Sequence, residues 1–196
     1  MEEPEVKTGT KFQSPIPIII QLRNLIFEKK KPDTFTRVTF YMNLVIWLTF
    51  LLWNIISYFS ISMKDFILEQ KGISIEEIIT ARGIDLGYEN GVFIERLLTF
   101  HSVSIILWLI VFIGIVFLYR KKIQFVYFIV GPIIAYIGMS VFYVGYRYFV
   151  EDLTMYDKIA LLVIIAGSIL HFFLMRNESN GSKLNFFGVI EDEEEA

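Results

Sequence analysis

LTFHSVSIILWLIVFIGIVFL, Leu98–Leu118, is an apolar run uninterrupted by Asp, Glu, Lys or Arg. A hydrocarbon core about 30 Å thick needs roughly 20 helical residues at about 1.5 Å rise each, so this stretch alone is long enough to cross a bilayer. Working outward, Ile123–Tyr146 follows it across a tight basic turn, and Arg37–Ser60 precedes it across a long polar loop. Ile159–Met175, at 17 residues the short end of the range, completes the set. Lipid offers backbone amides no water, so each run must be helical. The pattern predicts an all-α integral membrane protein with four transmembrane helices.

Composition agrees. Hydrophobic residues make up 55% and aromatics 16%, with a mean hydropathy of +0.55, all above what a soluble domain carries. One membrane domain, 37–175, is flanked by tails 1–36 and 176–196. The net charge of -3 and scattered basic residues give nucleic acid no binding face. Absence of Cys excludes disulfides, thiolate metal sites, Cys nucleophiles and palmitoyl anchors. The acidic, polar opening MEEPEVKTGTKFQSP does not read as a cleavable signal peptide, so the first span is expected to direct insertion.

Basic residues predict the orientation. Twelve Lys and Arg fall before the first span, in the Arg120–Lys122 turn or in the C-terminal tail, against six in the other two loops. The positive-inside rule then puts both termini in the cytoplasm, and the Ile-, Phe- and Lys-rich composition suggests a bacterial inner membrane. On the N-terminal side, Ile18, Ile19, Leu22, Leu25 and Ile26 share one face of a predicted amphipathic helix, 15–31, which ends in Lys29–Lys31 before Pro32. Such a helix suits the headgroup layer, or a partner's cytoplasmic helix. In the C-terminal tail, Phe186 and Phe187 lie in an apolar patch, Leu184–Ile190, ahead of EDEEE. Leu22, Leu25, Phe186 and Phe187 are the candidate partner-docking residues.

The loop Ile61–Leu97 is patterned. Ser74-Ile75-Glu76-Glu77 is a capping box, with Ile73 and Ile78 spaced for a hydrophobic staple and Gly83 placed for a C-cap. It predicts a short helix, Ile75–Arg82, pressing Ile75, Ile78 and Ile79 onto the membrane-proximal surface. DLGYENG, Asp85–Gly91, is turn chemistry, and the breaker-free Val92–Leu98 predicts that the second span starts as a stub outside the membrane.

Within the spans, residues other than Leu, Ile, Val and Phe form stripes. Asn43, Trp47, Phe50, Asn54 and Ser57 share one face of the first span, and Asn in hydrocarbon demands a protein partner. In the third span Gly131, Ala135, Gly138 and Gly145 lie on one face, which permits close helix approach, while Tyr136, Ser140, Tyr143 and Arg147 lie on the other. Pro132 predicts a kink there. Ala160, Ile164, Gly167 and His171 make a small-to-polar seam in the fourth span. The expected helix-interface residues are Asn43, Asn54, Gly131, Gly138, Gly145, Tyr143, Arg147, Gly167 and His171, and the two faces of the third span point to contact beyond its own bundle.

Catalytic chemistry finds little footing. His101 begins the second span while His171 ends the fourth, well over about 15 Å apart in depth, so they do not share a metal ion. His101 is expected at the interface, bonded to a loop. No G-x-S-x-G, H-E-x-x-H or phosphate-binding loop occurs, and Arg147, Glu151, Asp152 and Asp157 read as a solvated helix end. No catalytic residue, metal or cofactor is expected. The residues favour a non-enzymatic multi-pass subunit that packs into, stabilises or regulates a larger membrane complex, of the transport, secretion or energy-coupling type, with other integral membrane subunits and lipid as partners. A homo-oligomeric channel or transporter lined by Tyr136, Ser140 and Tyr143 is the alternative. A lipid- or quinone-handling enzyme working around His101 is the third.

Overall fold

A computed structural model describes residues 32–178, of which 86% are helical and none lies in a strand. The predicted helix 15–31 with Leu22 and Leu25, and the tail with Phe186 and Phe187, lie outside the described residues.

Helix α1 (Thr34–Ser62) opens the bundle, and two short helices, α2 (Lys64–Lys71) and α3 (Ile75–Asp85), form the long connection after it. Helix α4 (Val92–Tyr119) returns, and α5 (Phe125–Gly138) continues into a π-helical segment, Met139–Val144. A short α6 (Tyr146–Glu151) leads into α7 (Met155–Glu178). Four stretches, α1, α4, Phe125–Val144 and Met155–Arg176 within α7, are long and apolar enough to cross a membrane. The chain is a multi-pass, membrane-embedded α-helical protein. The end of the bundle carrying α2 and α3 is called the lid end below, and that carrying the α4–α5 turn the hairpin end.

The distribution of side chains fits a lipid solvent. Val45, Ile106, Ile134 and Leu162 each stand more than half exposed on outward faces, while Asn43, Asn54, His101, Ser104, Ser140, Ser168 and His171 are buried. Around an aqueous fold that arrangement would forfeit roughly 25 cal/mol for each Å² of apolar surface left outside. In lipid the outward faces cost nothing, and the polar groups meet inside.

Helices α1 and α4 run antiparallel along a ladder of aromatic contacts. Phe40 meets Tyr119 at 4.8 Å, Trp47 meets Phe112 at 4.6 Å and Phe50 stacks on Trp108 at 4.7 Å. The Trp47 indole donates to the Trp108 carbonyl at 2.7 Å, so even this interfacial indole is paired. On its other side α4 receives α5 at Gly114, where an added Cβ would stand 2.6 Å from Ile129 and 2.9 Å from the Phe128 backbone. Hydrogen is all that fits there.

Helix α1 starts one turn earlier than the apolar run predicts because Asp33 caps it. The Asp33 carboxylate accepts from the Thr36 amide at 3.0 Å and hydroxyl at 2.7 Å, and Lys121 of the hairpin turn pairs with it at 2.7 Å. Partial burial opposes its ionisation, but Lys121 and Thr36 outweigh that and hold its carboxyl well below the usual range.

Three further departures from the sequence pattern have local causes. The third span ends at Val144, not Tyr146, and its α geometry gives way at Met139 instead of at Pro132, through which α5 continues. Gly145 breaks the helix with a φ of 131°, a conformation open in practice to glycine alone, and an added Cβ would sit 2.5 Å from the Tyr88 hydroxyl. Gly83 is not a C-cap. It lies inside α3, which runs on to Asp85, because α3 crosses α4 so closely that a Cβ at Gly83 would meet that of Phe93 at 2.7 Å. Ile78 is 62% exposed and does not press onto the bundle, whereas Ile79 is half-buried. The Ser74 cap itself forms, accepting from the Glu77 amide at 3.2 Å, and α4 begins at Val92 as the breaker-free stretch predicts.

Candidate functional site

The lid end brings together chemistry that lies far apart in sequence. Arg82 of α3 reaches Glu151 at 2.8 Å and Asp152 at 3.0 Å, at the end of α6. Arg147 bonds Glu151 at 3.0 Å and also donates to the Asp85 carbonyl at 2.7 Å. The acidic helix end is therefore a latch that ties α3 to α6 rather than a freely solvated terminus. Asp152 and then Glu151 raise the Arg82 guanidinium, and Arg147 followed by Arg82 lowers the Glu151 carboxyl. A depressed folded-state value means that this contribution is present above the ordinary glutamate value of 4.5 and lost as pH falls through the lower folded value. Protection of α3 amides against hydrogen exchange is thus expected to drop as pH falls below about 4.5, and Arg82→Ala to weaken that dependence.

A second set of lid contacts holds the helix break. Tyr88 stacks on Phe93 at 5.2 Å and donates to the Val144 carbonyl. Arg96 lies over the Tyr88 and Tyr143 rings at 5.2 and 5.7 Å and donates to the Tyr143 carbonyl at 2.8 Å. Carbonyls left without an α-helical partner by the π segment are satisfied by the lid and by α4.

Beneath the latch lies a cleft of about 700 Å³, lined by α1, α3, α4 and the connection from α6 into α7. Helices α1 and α7 meet at the hairpin end, where Thr36 lies 3.4 Å from His171 and Phe35 stacks on that imidazole at 5.1 Å. A Cβ at Gly167 would meet only the flexible Met42 tip, at 3.3 Å. Phe50, Leu52, Trp53 and Ile56 line the α1 wall of the cleft, Leu153, Thr154 and Asp157 the opposite one, and Tyr136 and Tyr148 also face the space.

Behind the Phe50 wall lies the best-connected polar group in the core. Asn54 Oδ1 accepts from the His101 imidazole, 2.9 Å from Nδ1, so that ring nitrogen donates there. Its amide nitrogen donates to the Phe50 carbonyl at 2.8 Å, and its side chain also bonds the Tyr136 hydroxyl. His101 is thus buried against α1, not at a loop, because α4 begins more than two turns before it. Tyr136 and Ser140 are likewise inside the bundle, 3% and 0% exposed, which withdraws them from any pore formed between protomers.

The remaining interface candidates divide. Asn43 is fully buried with neither side-chain polar atom bonded. Gly131 and Gly138 face open space, with nothing within 4 Å of an added Cβ, and Tyr143 is 39% exposed. Among the described residues no three His, Asp or Glu gather at metal-binding spacing. Sequence reading missed Gly114, Arg82, Tyr88 and Tyr148. Only Gly114, the single glycine of its span, carried a local signal. Comparison with protein-family models, curated proteins and solved structures finds no match to this chain.

Proposed function

We propose that the protein is a non-enzymatic multi-pass subunit of the cytoplasmic membrane, with both termini inside, that packs against another integral membrane protein through the outward face of α5. The observation that carries this reading is the unfilled small-residue surface on that helix. Gly131 and Ala135 are exposed, Cβ atoms at Gly131 and Gly138 would meet nothing, and Tyr127 and Phe142 beside them are 70% and 88% exposed. On its opposite side α5 buries Ile129, Ile133 and Tyr136 completely or nearly so. A helix that is filled on one side and smooth on the other suits close backbone approach by a foreign transmembrane helix.

Gly131→Trp and Gly138→Leu are expected to leave the melting of the isolated bundle unchanged, since an added Cβ at either position has no neighbour within 4 Å. Both are expected to lower recovery of foreign subunits in mild detergent by about ten-fold, the equivalent of about 1.4 kcal/mol. Native mass spectrometry reads the outcome, and an unchanged complex mass defeats the proposal. A pure homo-oligomer that conducts ions in liposomes would transfer the assignment to the channel reading.

A further inference from the structure

We propose that the cleft between α1 and the connection from α6 into α7 binds one membrane amphiphile, a chain-bearing molecule whose uncharged head presents an ester or ketone carbonyl to Tyr148. Its dimensions, polarity and hydrogen-bonding each constrain the occupant. At about 700 Å³ the space falls within the range of small-molecule sites. It runs from Arg82 and Asp152 at the lid down to Thr49, which lies about 20 Å along α1 from Ser62 at about 1.5 Å per residue. The charged groups, Arg82, Asp152 and Asp157, gather at the lid end and Phe50, Leu52 and Trp53 line the deeper part, matching a head directed to the interface and a tail into the hydrocarbon.

The cleft is also reachable from lipid. Leu52, Trp53 and Ile56 on its α1 rim are 47%, 62% and 58% exposed, and Ile78 of α3 overhangs it at 62%. A molecule can enter sideways without crossing water.

The head is specified by what the walls leave unsatisfied. Tyr148 lines the cleft, and its hydroxyl has no hydrogen-bond partner among the described residues, although Phe93 and Phe100 pack its ring edge-on at 6.2 and 5.9 Å. Burial, together with Asp152 and Asp157, pushes this hydroxyl up, so it stays protonated and is a donor seeking an acceptor. An anionic head is disfavoured because Arg82 is already held by Glu151 and Asp152, and Asp157 adds a further negative charge. Asp157 is itself satisfied at 2.7 and 3.0 Å by the Thr154 hydroxyl and amide. A carbonyl oxygen meets the free donor without bringing charge. Two sources offer it, glycerolipid esters of the surrounding leaflet and ketone carbonyls of a quinone.

Full-length protein in phosphatidylcholine vesicles, photolabelled with a monoacylglycerol that carries a diazirine in its chain, provides the test. Saturable labelling is expected at Leu52–Ile56 and Leu153–Asp157, above that at the outward residues Val45 and Leu162. Leu52→Trp, on the exposed rim where folding is not at stake, and Ile79→Trp from the lid are each expected to reduce cleft labelling by about ten-fold. Tyr148→Phe removes one hydrogen bond and is expected to raise the half-saturating concentration about five-fold. Competition by unlabelled monoolein alone identifies the leaflet lipid, and competition by a short-chain benzoquinone alone identifies the quinone class; both support the carbonyl assignment. Labelling that is unsaturable and uniform over exposed residues overturns the proposal. So does stronger competition by anionic lysophosphatidate than by monoolein, or indifference to Tyr148→Phe.

Discussion

Gly114→Leu is expected to be the most damaging single substitution in the bundle, lowering the midpoint of thermal unfolding in detergent by about 10 °C. The reason is geometric. The α4–α5 contact places a hydrogen where any other residue carries carbon, and the first atom added would lie 2.6 Å from Ile129 Cγ1 and 2.9 Å from the Phe128 carbonyl carbon. Ile129 is completely buried and has no room to withdraw, and the Phe128 contact is backbone. Relief therefore requires α4 and α5 to separate along their length, which loosens Ile115 and Ile133, both completely buried. Overpacking of this kind costs about 3 kcal/mol. Gly167→Ala provides the control, since its added methyl meets only the mobile Met42 tip at 3.3 Å, and a shift of less than about 2 °C is expected there. Scanning fluorimetry reads both, and equal midpoints for Gly114→Leu and the unsubstituted protein would show that the α4–α5 approach is looser than described.

These contrasts mark where sequence informs and where it stops. The four spans were legible because lipid imposes an uninterrupted apolar length on every crossing segment, a constraint local to each stretch. The Ser74 cap and the α4 stub were legible for the same reason: each depends on residues a few positions apart. The latch was not. Arg82 finds Asp152 across 70 positions, and nothing near either residue announces the other. The break in the third span was misplaced because Pro132 is the obvious helix breaker, while the actual break needs Gly145 together with Tyr88 and Arg96 to accommodate its freed carbonyls. Gly131 and Gly145 look alike in a helical projection, yet one faces open space and the other turns the chain. The cleft escaped sequence reading altogether, because a space between helices is a property of their divergence and not of any residue.

Asn54→Leu is expected to destabilise the bundle by about 2 kcal/mol, although Leu has the same branching as Asn and suits lipid better. The loss arises from the partners left behind. His101 Nδ1, now 2.9 Å from Asn54 Oδ1, and the Tyr136 hydroxyl both lose a bond inside the bundle, where both residues are buried. A buried polar group stripped of its partner costs about 1–3 kcal/mol, and hydrogen bonds between transmembrane helices average about 0.6 kcal/mol each. Removing both sides of one contact separates these effects. In the double substitution Asn54→Leu, His101→Leu the orphaned imidazole disappears, so the combined loss should fall short of the sum by about 1 kcal/mol. That coupling, measured by unfolding in mixed micelles, assigns His101 to holding α1 against α4. The same pair discriminates the enzyme reading: a His101 that serves chemistry would abolish a function in His101→Gln, which can retain a bond to Asn54, while leaving stability intact. A structural His101 predicts that Gln restores much of the stability lost on substitution by Leu. Additive losses across the cycle would mean that the 2.9 Å contact contributes nothing to the join between α1 and α4.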